Sequence, residues 1–463
     1  MEGSFLASSF RPPDFAVHDG SSRYPAWVLL DTKAYFAVRN NATTAEALTS
    51  TGHAVKVTFC LADPPGISHF CVHGPGFQRD DFKIEPLLLF SAKGLVLLRF
   101  SFTVGPRSTG KNPHLAEYFV YRAGRGSKPS LKPIPPAPPR TISSIRVCLL
   151  PFDDDDEEFL LADLAMTQLH SDYNLHVYSS KTDKWTTTPL RLEIPLGAGQ
   201  DDLPSPLHDK VIMLGGGFVG WVDLWRGIVR CNVFEEKPVL SFIPIPMLEL
   251  NEQRIGDARP VRDVTCCDGF IKFVELEHRF KTIVPYSDKK PPKMTKDLDS
   301  VDIIYDSELL VGNDDIRVDP NEFTMVADGW KLRTCYRHTS WDHWRKAHSV
   351  DIDDIWVDKA EHIMVLPQLW DAKARRSTLR NLYSAYPTLG VDADNVVYLV
   401  SKVRFDDKNG WMIGVDLGKK TVEMLVPVSS ERLGYFKPDF HSCAFSDYLN
   451  ATPRSFVEEV TYA

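Results

Sequence analysis

Residues Val211 to Phe234 read VIMLGGGFVGWVDLWRGIVRCNVF, and the fold follows from how that stretch is punctuated. Two apolar runs, Val211 to Leu214 and Val219 to Leu224, flank Gly215-Gly216-Gly217. A Trp225-Arg226-Gly227 turn then leads into Ile228 to Phe234, and Val239 to Ile245 supplies a fourth run. Short runs of β-branched and aromatic residues separated by glycine turns are the signature of consecutive hairpins. The stretch therefore predicts four antiparallel strands in sequence. It also satisfies GxGxxG from Gly215 to Gly220, with Glu235 and Glu236 where a dinucleotide fold places its acidic residue. A phosphate cradle, however, needs the third glycine to open a helix. Here the following residues include Gly227 and the β-favouring Val222, Ile228, Val229 and Val233. The glycines read as a turn.

The same texture recurs on both sides. Upstream, Pro86 to Phe100 is broken at Lys93-Gly94 and followed by Tyr118 to Tyr121 and Ser130 to Ile134. Phe159 to Met166, Leu175 to Tyr178 and Trp185 to Leu190 form a second unit. Downstream, Val264 to Cys267, a turn at Asp268-Gly269 and Phe270 to Glu277 resume at Trp330 to Tyr336 and Trp344 to Val350. A fifth unit takes in Leu389 to Val391, Val396 to Val403, Trp411 to Asp416 and Thr421 to Val426. Repeated four-stranded units are how propeller blades look in sequence. The expectation is a mainly β chain: a propeller-like array of four-stranded antiparallel units, about five to six blades, with few short helices. A decorated β-sandwich is the alternative, because evenly spaced short strands serve both. The best helical spacing is Leu369, Lys373, Arg376 and Arg380, which predicts a short helix within Leu369 to Tyr383.

Residues 1–23, rich in Ser, Pro and Gly, are expected to be a flexible tail preceding a single domain over 24–463. The proline-dense stretch 124–141 reads as an extended connector and the segment at about 282–325 as a polar insertion. The run Asp153 to Glu158 reads as a solvated acidic loop.

With 53 Lys plus Arg against 62 Asp plus Glu, the net charge of −9 has the wrong sign for holding a phosphate backbone, so no nucleic acid is expected. No secretory h-region opens the chain and no run is long and apolar enough to span a bilayer, which places it inside the cell, in cytoplasm or nucleus. The eight cysteines form no CxxC pair and read as reduced, buried and structural. No cofactor and no metal is expected.

Together these segments resemble a plant family catalogued as domain of unknown function 1618. The resemblance rests on Trp27-Val28-Leu29-Leu30-Asp31, Gly220 to Ile228, Asp268 to Leu276 and Asn395 to Leu399. It implies structural roles for Trp221, Asp223, Trp225, Arg226, Gly227 and Gly269, and no assigned reaction.

His338, His343 and His348 recur every five residues, a spacing that suits neither a strand face nor a helix face for metal ligation. Trp341, Trp344, Trp356 and Trp370 read mostly as core. Trp341, Asp342, His343 and Trp344 are the candidate interaction loop, since tryptophan anchors interfaces. No nucleophile elbow, zinc helix or Walker loop is present. The expected function is a non-enzymatic scaffold for a protein partner, with an enzyme or small-ligand binder using a central channel as the alternative. A channel lined by converging ionisable groups would favour the alternative; a plugged or apolar one would exclude it.

Overall fold

A computed structural model describes residues 5–13, 23–74, 76, 81–102, 115–125, 127–135, 146–152, 158–167, 171–193, 204, 208–246, 256–283, 304–305, 324–357, 359–372, 375–392, 395–404, 407–429 and 440–450. They form a six-bladed β-propeller. Blade 2 is the meander Leu87–Ala92, Leu95–Phe102, Leu115–Arg122 and Ser130–Ile134. Blade 3 is Cys148–Pro151, Phe159–Met166, Asp172–Ser179 and Lys184–Arg191; blade 4 is Lys210–Gly215, Phe218–Asp223, Gly227–Asn232 and Leu240–Pro244. Blade 5 is Arg262–Cys267, Phe270–Ile283, Thr324–His338 and Arg345–Asp351, with Ile304–Tyr305 paired to its second strand. Blade 6 is Tyr383–Leu389, Val396–Lys402, Asn409–Asp416 and Thr421–Ser429.

Blade 1 closes the ring. Its innermost strand, Phe440–Cys443, comes from the far end of the chain and pairs antiparallel with Val28–Asp31, Val28 facing Cys443. Ile67–His73, Ala54–Cys60 and Ala45–Leu48 continue outward, and Tyr35–Phe36 pairs parallel with Ile67–His73. Closure ties residues at the two ends of the chain into one sheet, which removes a gap between the first and last blades.

Burial grades outward along each blade. Phe159–Met166, a second strand, is buried at six consecutive positions, whereas the outermost strand of the same blade, Lys184–Arg191, is almost wholly exposed or half-exposed. Strands covered on both faces need continuous apolar runs, and edge strands need polar ones. Pro133 sits on such an edge, in Ser130–Ile134, the position where a missing N–H costs no ladder bond. Apolar clusters fill the spaces between blades 1 and 2, 2 to 4, 4 and 5, 5 and 6, and 6 and 1.

The turn from Trp221 to Ile228 shows why its residues are what they are. Trp221 is fully buried, and Asp223, 2% exposed, accepts from the N–H groups of Trp225 and Arg226 and pairs with the Arg226 guanidinium at 3.2 Å. Gly227 faces Asp223 across the ladder, and a Cβ there would lie 2.4 Å from the Ile243 carbonyl oxygen and 2.5 Å from the Phe242 ring. Gly227→Ala is expected to cost about 1–3 kcal/mol, read as a lower urea midpoint at unchanged slope. At Gly217, φ is +84° and a Cβ would meet the Asn232 side chain at 2.5 Å, so the triple glycine is the tight turn between the first two strands of blade 4. Asp268 and Gly269, both at positive φ, make the equivalent turn in blade 5.

Several expectations are corrected. The stretch 369–383 is not a helix: Trp370–Asp371 and Arg376–Ser377 form a two-stranded ribbon, and the α-helix among the described residues is Ala360–Val365, one segment earlier. Its end is set by Pro367, which cannot continue a helix. Arg376 and Arg380 share a spacing because both guanidinium groups reach Asp353. The first strand of blade 6 is Tyr383–Leu389 rather than Leu389 to Val391, and blade 3 gains Cys148–Pro151 as its inner strand. Within the expected tail, Ala7–Phe10 forms a 3-10 turn whose Ser9 is buried and donates to Glu85 at 2.7 Å, with Phe10 stacked on Phe36. The acidic residues 153–157, the connector residues 136–141 and nearly all of 284–323 lie outside the described residues. Among the described residues no helix is long and apolar enough to cross a membrane.

Candidate ligand site in the central channel

Innermost strands in a propeller point every second side chain at a shared axis, so six separated segments converge there. At one end of the axis is a wide cavity of about 640 Å³; at the other is a narrow one of about 90 Å³. Phe90, Lys210, Val211 and His441 line both, which makes them the waist of one channel.

The wide end opens among the turns that follow the innermost strands. Lys93, the glycines Gly215 to Gly217 and Asp268-Gly269 belong to its wall. Its rim carries Phe152 of blade 3 stacked on Phe234 of blade 4, ring centroids 5.1 Å apart and planes 15° apart, each ring more than two-fifths exposed. Met213, Leu214, Val211 and Phe218 continue an apolar wall inward.

The waist is polar. Lys210 Nζ lies 2.7 Å from Asp263 Oδ1, joining blades 4 and 5, while Asp263 Oδ2 accepts from the Leu389 N–H of blade 6 at 2.9 Å. Ser91 Oγ lies 2.9 Å from His441 Nε2, joining blades 2 and 1. His441 presents part of its ring to the channel but sits deep among protein atoms. That burial, followed by the Lys210 charge, pushes its pKa down to about 3.

Beyond the waist, the narrow end is ringed by charge. Arg146 donates from Nε to the His208 carbonyl at 3.0 Å, and Arg259 grips Asp257 with Nε and Nη2 at 3.0 and 2.8 Å. Arg262 is held by Glu275 in a fully buried pair. Asp209 accepts from Leu224 N–H at 2.8 Å; burial raises its carboxyl above the usual range, against that hydrogen bond. His208, 8% exposed, is pushed down to about 4 by burial, against the attraction of Asp223. Tyr386 lines this end at φ +55°, its N–H held by the Pro260 carbonyl at 2.8 Å. A bulky residue in the left-handed region is strained, and such strain collects at ligand sites.

Ser91 and His441 have the separation of a nucleophile and its base, but not the electrostatics. A general base must take up a proton in the reaction, and a carboxylate normally steadies the resulting imidazolium. Here the neighbouring charge is Lys210, which opposes it. The pair is built to hydrogen-bond.

The candidate interaction loop lies in blade 5, between Thr324–His338 and Arg345–Asp351. It does form one cluster, but its aromatic faces are occupied. The Trp341 ring stacks on His343 at 5.6 Å, has Arg345 over it at 4.4 Å and meets Phe270 edge-on at 5.8 Å. Trp344 is a peg into blade 4, its Nε1 donating to the Pro244 carbonyl at 2.8 Å. Asp342 and His343 are the exposed members, paired at 2.8 Å, and the His343 hydrogen bond lowers the Asp342 carboxyl. The expectation that the four tryptophans are mostly core is overturned, since Trp356 and Trp370 are 70% and 50% exposed. Trp356 stands in the segment before the helix and Trp370 opens the ribbon after it, where Leu366 and Leu369 take the buried positions.

Of the six family-motif residues, Gly269 lines the wide end, and Trp225 bears on the narrow end through Arg262. Its ring lies 4.4 Å from the Arg262 guanidinium carbon, and its Nε1 donates to the Gly256 carbonyl at 2.9 Å. The waist residues Ser91, Lys210, Asp263 and His441 were not singled out from sequence. Each is an ordinary polar residue inside a strand, and only the closed ring brings them together.

Residues 221–398 match the family model described as "Protein of unknown function (DUF1618)", a span that takes in the motifs from Trp221 to Ile228 and from Asp268 to Leu276. The resemblance read from those residues is thus confirmed over that span. No curated protein is significantly similar to the chain. Among solved structures, the chain is similar to the GH93 alpha-L-arabinofuranosidase of Fusarium graminearum with arabinobiose, at 11% identity over 74% of this chain and 79% of that one, TM-score 0.27. It is also similar to the alpha-L-arabinanase of Penicillium chrysogenum complexed with arabinobiose, at 11% identity over 73% and 90%, TM-score 0.23. Likeness at this level says nothing about chemistry in this channel.

Proposed function

We propose that this protein binds a small, mainly apolar ligand in the wide end of its channel, with one hydrogen-bonding end of the ligand at the waist. The observation that carries this reading is a cavity of about 640 Å³ with an aromatic rim, apolar walls and a floor where Ser91, Lys210 and His441 converge. That is the size and composition of a ligand pocket. The neutral, tightly held His441 favours binding over turnover.

The test uses 1-anilinonaphthalene-8-sulfonate, an apolar probe with one charged end. One equivalent per chain is expected to bind with a rise in fluorescence. Phe152→Ala with Phe234→Ala is expected to weaken it about tenfold, the loss of ~1.4 kcal/mol of ring contact, at unchanged melting temperature because both rings are half in solvent. Absence of binding, or binding indifferent to the double substitution, overturns the reading.

A second reading, a scaffold for a protein partner, is supported by a different surface. Trp356, Met364, Val365 and Trp370 are 70%, 83%, 47% and 50% exposed around the helix Ala360–Val365. Large apolar side chains concentrated on a surface are what partner proteins cover.

A further inference from the structure

Blade 1 contains a cluster that the channel does not use. In the antiparallel pair Ala54–Cys60 and Ile67–His73, Cys60 faces His69 and Thr58 faces Cys71. His69 and Cys71, two residues apart on one strand, share a face, and Cys60 comes to that face from the neighbouring strand. One ligand atom from each of the three lies within 4.8 Å of the other two. All are buried, at 4%, 3% and 1% exposed for Cys60, His69 and Cys71. His69 Nδ1 is buried with no hydrogen-bond partner, and the Tyr35 ring stands edge-on to the imidazole at 5.2 Å. The segment beyond Tyr35 that packs over the cluster reaches solvent at once: Ala37 touches it, and Val38 is 64% exposed.

We propose that Cys60, His69 and Cys71 form a metal site for zinc, with a fourth position left for solvent or a further ligand. Two thiolates and an imidazole are a borderline-soft donor set suited to that ion, and three protein ligands leave one tetrahedral position open. Two thiolates neutralise a dication, so burial of the loaded site is not penalised by net charge. A Cys60–Cys71 disulfide fits less well. The two residues are diagonal across the strands, where Cβ atoms stand about 7 Å apart, and a disulfide needs about 4 Å. No CxxC spacing marks this set, because its ligands come from two strands, as Cys-x8-His-x-Cys.

The test takes the full chain, reduced and freed of metal under anaerobic conditions, and titrates it with cobalt(II). One equivalent is expected to raise a thiolate-to-cobalt charge-transfer band that zinc abolishes. Cys60→Ser and Cys71→Ser are each expected to lose the band and weaken zinc binding by more than about 100-fold, beyond the loss typical of an outer-shell change. Cys266→Ser, in blade 5, should leave both intact. Zinc should also shield Cys60 and Cys71 of the unmodified chain from alkylation, mapped by peptide mass spectrometry, a readout that needs no variant to fold. No band in the unmodified chain, a band that survives the double serine substitution, or equal alkylation with and without zinc overturns the proposal.

Discussion

Glu275→Gln is expected to destabilise the propeller by about 3–5 kcal/mol, the largest loss foreseen for a single side chain that touches no ligand. Glu275 is 1% exposed, and its Oε1 accepts from Nε and Nη2 of Arg262 at 2.9 and 2.5 Å. Arg262, 4% exposed, also donates from Nη1 to the Leu224 carbonyl of blade 4 at 3.0 Å and lies between the rings of Trp225 and Phe273. The guanidinium thus fastens blade 4 to blade 5 from a buried position beside the narrow end of the channel. The amide keeps the volume but removes the charge, and an uncompensated guanidinium in that setting is worse than none. Arg262→Met combined with Glu275→Leu should therefore recover most of the loss, less the cost of an orphaned Leu224 carbonyl, about 1 kcal/mol. Urea denaturation of the two variants beside the unmodified chain decides it. A double variant as unstable as Glu275→Gln would show that packing, not the unpaired charge, sets the cost.

That interface also marks how far sequence reading reaches. Blade 4 was legible in full because its turns are glycines that backbone geometry requires, at Gly217 and Gly227. Blade 6 was displaced because its first strand carries Pro387 and a bulge around Tyr386, which break the alternation that identifies a strand. The helix misplaced onto 369–383 came from arginine spacing that in fact serves Asp353. Closure by Phe440–Cys443 was not legible beyond the expectation of five to six blades, since no local signal says which distant strand it joins. The channel was illegible for the same reason. Ser91, Lys210, Asp263 and His441 lie in four blades, and their meeting is a property of ring closure, not of any motif. The His69-x-Cys71 pair, by contrast, was open to reading, because alternate positions on a strand share a face.

Acidification from pH 6.5 to 4.5 is expected to remove about 3–5 kcal/mol of stability, well before carboxylates titrate in bulk. The cause lies in two buried histidines, His441 at the waist and His208, the chain neighbour of Asp209 at the narrow end. Burial holds His208 at about 4 and His441 at about 3, against an ordinary value of 6.5. Between the folded and ordinary values the unfolded chain binds protons that the folded one does not, so stability falls as pH falls. Each proton difference is worth about 1.4 kcal/mol per pH unit, and the lower folded value of His441 makes its contribution at least as large as that of His208. Asp209 acts in the opposite direction. Its raised carboxyl takes up a proton in the folded state first, which offsets part of the loss at the acid end of the window. His208→Asn should flatten the pH dependence of the urea midpoint between 6.5 and 4.5 by about one proton, and adding His441→Asn should flatten it further. A midpoint that falls as steeply in the double variant as in the unmodified chain would place the acid sensitivity elsewhere. If it flattens, the neutral state of His441, which favours binding over turnover in the channel, is established by the same titration.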